Sequence, residues 1–129
     1  MADYTLINML DVENKAQEGG STTDVRFART PLQTQHIGVS RMRYAAGKRS
    51  QRGHTHREQE EVYVVVAGSG QAKLDDEIRE LKQWDVLRVA PGTYRGFAGG
   101  PDGLDLIAIG SDRPEGGDGE SSDDDWWGD

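Results

Sequence analysis

The sequence predicts an all-β domain of jelly-roll type, and three observations carry that prediction. The chain divides into about eight short apolar runs set apart by turn residues at intervals of about ten, the spacing of a double-sheet jelly roll. Seventeen of its 129 residues are glycine, which suits a chain with many turns. The strongest apolar run, Val62 to Val66, is rich in valine and closes on Gly68, so it reads as a strand buried on both faces. The length suits one core.

The elements follow in order. Residues 8–16 have the makings of a short helix, with Asn8 or Asp11 as its cap and Gly19-Gly20-Ser21 beyond its end. Val25 to Arg29 alternates apolar and polar residues and reads as an edge strand, which Thr30-Pro31 breaks. Gln35 to Tyr44 also alternates. Ile37, Val39 and Arg41 share one face; His36, Gly38, Ser40, Met42 and Tyr44 share the other. One of these faces should be core or pocket, which makes His36 and Tyr44 candidate pocket residues. Ala45 to Gly53 is a basic loop, with Lys48, Arg49 and Arg52 placed to steer an anionic ligand.

After Gly68-Ser69-Gly70, the runs Gln71 to Leu74 and Ile78 to Leu81 flank Asp75-Asp76-Glu77 as a hairpin with an acidic turn. The two aspartates lack the further oxygen ligands that calcium needs, so turn chemistry explains them. Val86 to Val89 and Tyr94 to Ala98 are strands on either side of the turn Pro91-Gly92-Thr93. Residues 99–103 form a loop, and Leu104 to Ile109 is the closing strand.

Composition excludes several classes of function. There is no cysteine, so disulfides, zinc knuckles and thiol catalysis are ruled out. The net charge is -8, yet residues 112–129 alone carry eight acidic side chains and one basic one. The body of the chain is therefore nearly neutral and has no nucleic-acid footprint. No apolar run approaches a membrane span, and MADYTLINML lacks the basic region and apolar core of a signal peptide. The expectation is a soluble cytoplasmic protein with no membrane partner. Residues 1–112 read as the barrel with its N-terminal extension, and 113–129 as an acidic Gly/Asp-rich tail. Its charge favours disorder, whereas Trp126-Trp127 favours docking on the barrel or on a neighbouring copy.

The chemistry gathers in GHTHREQEEVYVVVAG, residues 53–68. On an extended segment His54 and His56 point the same way. Glu61 opens the next strand and can return to the same spot across a tight hairpin, while its neighbour Glu60 faces solvent. Two imidazoles and a carboxylate converging in this way suit a divalent transition metal (Fe, Mn, Ni, Cu or Zn) and leave positions open for a ligand.

This spacing resembles the first motif of the cupin superfamily: His-x-His, four residues, Glu61, six residues, Gly68. Gly47 stands one residue further upstream than that motif's opening glycine. Residues 84–99, WDVLRVAPGTYRGFAG, are similar to the second motif, with Asp85 and Pro91-Gly92-Thr93 in register. Trp84 replaces that motif's first glycine, Ala90 its first proline, Gly99 its last asparagine, and Arg95 its metal-binding histidine. The resemblance covers about residues 35–110. It implies a double-stranded β-helix barrel holding a metal at His54, His56 and Glu61, and a homodimer joined through the Val25 to Arg29 strand. Arginine cannot ligate a metal. Arg95 is instead expected to hold the acidic group of a small organic ligand, with Tyr44 and His36 lining the pocket. Two alternatives stay open. Arg95 and the histidines could form an anion clamp in a metal-free sugar-binding or isomerase-type barrel, with Tyr44, Tyr63 or Tyr94 as an acid. Otherwise Arg95 could pair with Glu61 or Glu60 and leave a non-catalytic module.

Overall fold

The computed structural model describes residues 1–128. It has eight strands: β1 (Thr22–Phe27), β2 (Gly38–Tyr44), β3 (His54–His56), β4 (Glu61–Leu74), β5 (Glu77–Lys82), β6 (Val86–Val89), β7 (Arg95–Gly110) and β8 (Gly119–Ser121). The helical pieces are a 3-10 turn at Met9–Asp11, capped by the Asn8 side chain, and a single turn, α1 (Arg29–Leu32). Among the described residues no helix is long and apolar enough to cross a membrane.

All pairings are antiparallel. The strand order is β1-β2-β7-β3-β8, and β4 pairs with β7, β5 and β6. Two long strands, β4 and β7, knit the sheet into a curled barrel. The start of β4 pairs with the end of β7, and its end (Gly70 to Leu74) pairs with the start of β7. Both strands run straight through stretches that the sequence marks as loops, residues 68–70 and 99–103. Glycine allows this at the bend. Gly68 has φ +76°, and a Cβ there would overlap the carbonyl oxygen of Gly103. The ladder shifts register on both sides of this point, so the glycines form bulges within continuous strands.

The core lies between the inner faces. Tyr63, Val65, Phe97, Leu104, Leu106 and Ala108 are almost fully buried. Phe97 packs against Tyr63 at 4.8 Å between ring centroids and against Tyr44 at 5.9 Å. Each such pair contributes about 0.5–1.5 kcal/mol beyond its buried area. The Val62 to Val66 run is buried on one face only: Tyr63 and Val65 point in, while Val62, Val64 and Val66 stay half-exposed. Period-two alternation thus decides the burial along this run.

β1 ends at Phe27, short of the expected Arg29, because Ala28 to Leu32 turns into α1 before the proline can disrupt a ladder. Its outer edge is already used. The Val25 N–H donates to Asn14 Oδ1 at 3.0 Å, and the Val25 carbonyl accepts from Lys15 N at 2.7 Å.

The C-terminal segment docks on its own barrel. β8 pairs with β3, His56 opposite Gly119. Trp126 lies over Gly53 and Gly96, where a Cβ would come within 2.7 and 2.6 Å of the indole. Lys73 Nζ stands 4.6 Å from the Trp126 ring centre and donates to the Trp126 carbonyl. The Trp127 indole donates to the Ser50 carbonyl at 2.6 Å, with the Arg49 guanidinium 5.0 Å from its ring. Arg52 pairs with Asp124 at 2.5 Å. Arg49 and Arg52 of the basic loop thus contact the C-terminal segment.

Candidate functional site

His54 and His56 start and end β3, so their rings share one face, 5.3 Å apart and edge-on. β3 and β4 do not form the expected tight hairpin. β3 pairs with β7 and β8, and residues 57–60 carry the chain over to β4. Glu61, the first residue of β4, then faces the two rings. Its Oε1 lies 3.3 Å from His56 Nε2 and 4.0 Å from His54 Nε2. One donor atom from each of the three residues falls within 4.8 Å of the others.

The surroundings set the charge of each group. The Glu61 carboxylate is held below its usual range: burial pushes the other way, but hydrogen bonds from His56 and from Tyr63 (2.7 Å from Oη to Oε1) outweigh it, and Arg95 adds to them. His56 is raised by its bond to Glu61, against burial, and by Asp118. His54 is lowered to about 4, first by burial and then by the charge of Arg95. It keeps 41% of its side chain open. At neutral pH it is an uncharged donor.

These residues form part of the wall of a cavity of about 340 Å³. Tyr63, Gln59, Met42 and Ser40 continue the wall, and Phe27, Arg29 and Arg113 border it. Gly38 makes room for Arg29: a Cβ there would meet the guanidinium at 2.5 Å. Arg29 Nη2 donates to the Ser111 carbonyl at 3.1 Å, which leaves its other nitrogens available.

Three of the expected ligand contacts lie elsewhere. His36 precedes β2 and is exposed, its Nδ1 3.2 Å from Asp112 Oδ1. The inward face of β2 begins with Gly38, so the alternation was right and its starting point was not. Tyr44 does point inward but sits in the aromatic core, with its phenol raised to about 12 by burial. Arg95 does not line the cavity. It is fully buried behind the cluster, Nη2 4.0 Å from Glu61 Oε1, and Nε, Nη1 and Nη2 all lack a hydrogen-bond partner among the described residues. Glu60 faces solvent and pairs with Arg88, as expected. Asp75 takes a left-handed backbone (φ 51°), which fits turn chemistry, and its side chain accepts from Tyr94 N near the start of β7.

Asp118 belongs to the site and was not singled out. Only 1% exposed, it accepts from His56 Nδ1, Gln59 Nε2 and the backbone of Glu58 and Gln59 at 2.8–2.9 Å. These bonds hold its carboxyl well below the usual range despite burial. In the sequence it is one of seven acids in a glycine-rich tail, with no periodicity to mark it as internal. Arg29 and Arg113 were missed for a similar reason: nothing local shows that α1 and the stretch after β7 meet at one rim.

The donor set fits a divalent metal. Two imidazole nitrogens and a carboxylate oxygen converge, His54 is neutral, and Asp118 holds the far nitrogen of His56. Arg95 opposes it as a nearby cation on the buried side.

No protein-family model and no curated protein matches the sequence. Solved structures do resemble this one. A cupin protein from Bacteroides fragilis is 24% identical, with a TM-score of 0.64 over 78% of this chain and 84% of that one. A sugar phosphate isomerase of the cupin superfamily from Silicibacter pomeroyi is 16% identical, with a TM-score of 0.71 over 85% and 77%. An uncharacterized double-stranded β-helix protein from Klebsiella pneumoniae is 15% identical, with a TM-score of 0.71 over 94% and 99%. Both the curled antiparallel sheet and these likenesses lead to one conclusion: the chain has the double-stranded β-helix fold of the cupins.

Proposed function

We propose that this barrel binds a divalent transition metal at His54, His56 and Glu61, and a small organic acid in the cavity beside it. The convergence of the three donor atoms at the cavity wall carries this reading. A bound metal would supply Lewis acidity toward an oxygen of the ligand. The chain's own residues do the rest. Arg29 and Arg113 attract the ligand's anionic group at the border of the cavity. Phe27 and Met42 offer an apolar wall for its body. Tyr63 keeps its proton, because burial and Glu61 raise its phenol well above 10, and so holds Glu61 in place. Titrating the Mn²⁺-loaded protein with pentanoate and benzoate tests the ligand half. Binding should weaken at least tenfold in an Arg29→Gln/Arg113→Gln variant. Wild-type protein that binds neither acid would count against it.

Arg95 favours a second reading. A fixed cation 4.0 Å from Glu61 partly supplies the charge that a metal would bring. Without metal, His56 and Glu61 form a hydrogen-bonded acid–base pair at the cavity. The cupin isomerase among the similar structures makes a sugar-type substrate the natural probe for that form. Metal content separates the two readings.

A further inference from the structure

We infer that Asp118, in the acidic C-terminal segment, is a positioning residue that fixes the tautomer of His56 and aims its Nε2 lone pair at the Glu61 side of the cavity. The rings of His54 and His56 face the same cavity, but among the described residues only His56 has a carboxylate behind it. Asp118 Oδ1 lies 2.9 Å from His56 Nδ1 and 2.9 Å from Gln59 Nε2. Its Oδ2 accepts from the Glu58 and Gln59 backbone N–H at 2.8 and 2.9 Å. An ionised carboxylate only accepts, so a neutral His56 bonded to it carries its proton on Nδ1. Glu61 is the competing acceptor, but it stands farther away, at 3.3 Å from Nε2, and already receives the Tyr63 hydroxyl. In the neutral ring the single proton therefore belongs to the Asp118 side and Nε2 keeps its lone pair; only the charged ring also donates from Nε2 to Glu61.

The placement is built into the fold. Arg57 N donates to the Asp118 carbonyl at 3.1 Å, and β8 continues directly from this residue to pair with β3. The tail is thereby tied to Arg57, Glu58 and Gln59 of the turn that separates His56 from Glu61. What looks in sequence like a detachable acidic appendage supplies a group behind the site. The consequence for metal affinity rests on the metal reading above; the tautomer itself does not.

Asp118→Asn tests this specifically. The asparagine oxygen can still accept from Glu58 and Gln59, so the turn can survive. Its amide NH₂ then meets His56 Nδ1 as a donor and forces the ring proton to Nε2, the logic by which a carboxylate-to-amide change alters a histidine tautomer. Long-range ¹H–¹⁵N correlation spectra of metal-free protein, at pH values where His56 is neutral, report the ring directly. Wild type should show protonated Nδ1 and the variant protonated Nε2. Zn²⁺ affinity should fall about 10–100-fold, the usual cost of losing a carboxylate behind a ligating histidine. Ser122→Ala, which removes a different tail contact at Gly53 N, should change neither. Wild-type His56 protonated on Nε2, or an unchanged tautomer in Asp118→Asn, would overturn the inference. A switched tautomer in a protein that binds no Zn²⁺ would uphold it while removing the metal reading.

Discussion

Arg95 Nη2 lies 4.0 Å from Glu61 Oε1, too far for a hydrogen bond, and no other group among the described residues satisfies the guanidinium. The residue is fully buried. Leaving a buried polar group unpaired costs about 1–3 kcal/mol, and more when it is charged. The fold tolerates this next to its candidate ligands, where a second positive charge competes with a metal ion.

Arg95→Met should therefore be neutral or stabilising in the metal-free protein, since an apolar side chain of similar length replaces an unpaired charge. It should also tighten Zn²⁺ binding at least threefold by removing the repulsion. Thermal unfolding and competitive Zn²⁺ titration measure the two effects. Weaker Zn²⁺ binding would show that Arg95 supports the site instead of opposing it.

The lowered His54 makes a pH prediction for metal-free protein. An unfolded histidine titrates near about 6.5, and folded His54 at about 4. Between those values the unfolded chain takes up a proton that the folded site refuses, so stability falls as pH is lowered from about 6.5 to about 4. His56 has the opposite sign: raised in the fold, it adds stability below about 6.5 that is lost as pH rises through its folded value. Replacing His54 by glutamine removes the first effect alone. The midpoint of the variant relative to wild type should therefore rise as pH drops across this window. A pH-independent difference would contradict the assignment.

Trp126 closes over Gly96, and Gly96→Ala would place a methyl group 2.6 Å from the indole and 2.8 Å from Ser50 Oγ. The ring must move out. Overpacking of this kind costs about 1–3 kcal/mol, and tryptophan emission should shift to the red. Unchanged emission would mean that the indole does not rest there in solution.

The outer sheet face carries exposed apolar side chains. Val62 sits across from Ile109, and Ile109 from Val39; Val64 sits across from both Ile107 and Val86. Ile109 is 38% exposed and Val86 66%. With the edge of β1 occupied at Val25 by Asn14 and Lys15, self-association through this face is the expected route to a homodimer. Sedimentation should show a wild-type dimer and a folded Val64→Arg monomer. A dimeric Val64→Arg protein would place the interface elsewhere.

Much of this was legible in the sequence because it was local. The shared face of His54 and His56, the inward side of β2 from Gly38 to Tyr44, and solvent-facing Glu60 all follow from period two, whereas Glu61 meets the histidines without the tight hairpin that its spacing suggests. Contacts between distant segments were not legible. Asp118 reaches His56 across 62 residues, and Arg29 reaches Ser111 across 82. Neither has a signal in its own neighbourhood. The glycines at 68 and 103 misled in a physical way: the same residue that ends a strand also permits the bulge on which a long strand bends.

Metal content tests the central claim most directly. Protein purified without an affinity tag or chelator should carry close to one divalent transition ion per chain, and a His54→Ala/His56→Ala variant should carry none. Wild-type protein that is empty, and stays empty after incubation with Fe²⁺, Mn²⁺, Ni²⁺, Cu²⁺ and Zn²⁺, would contradict the account and leave His56, Glu61 and Arg95 as a metal-free acid–base site.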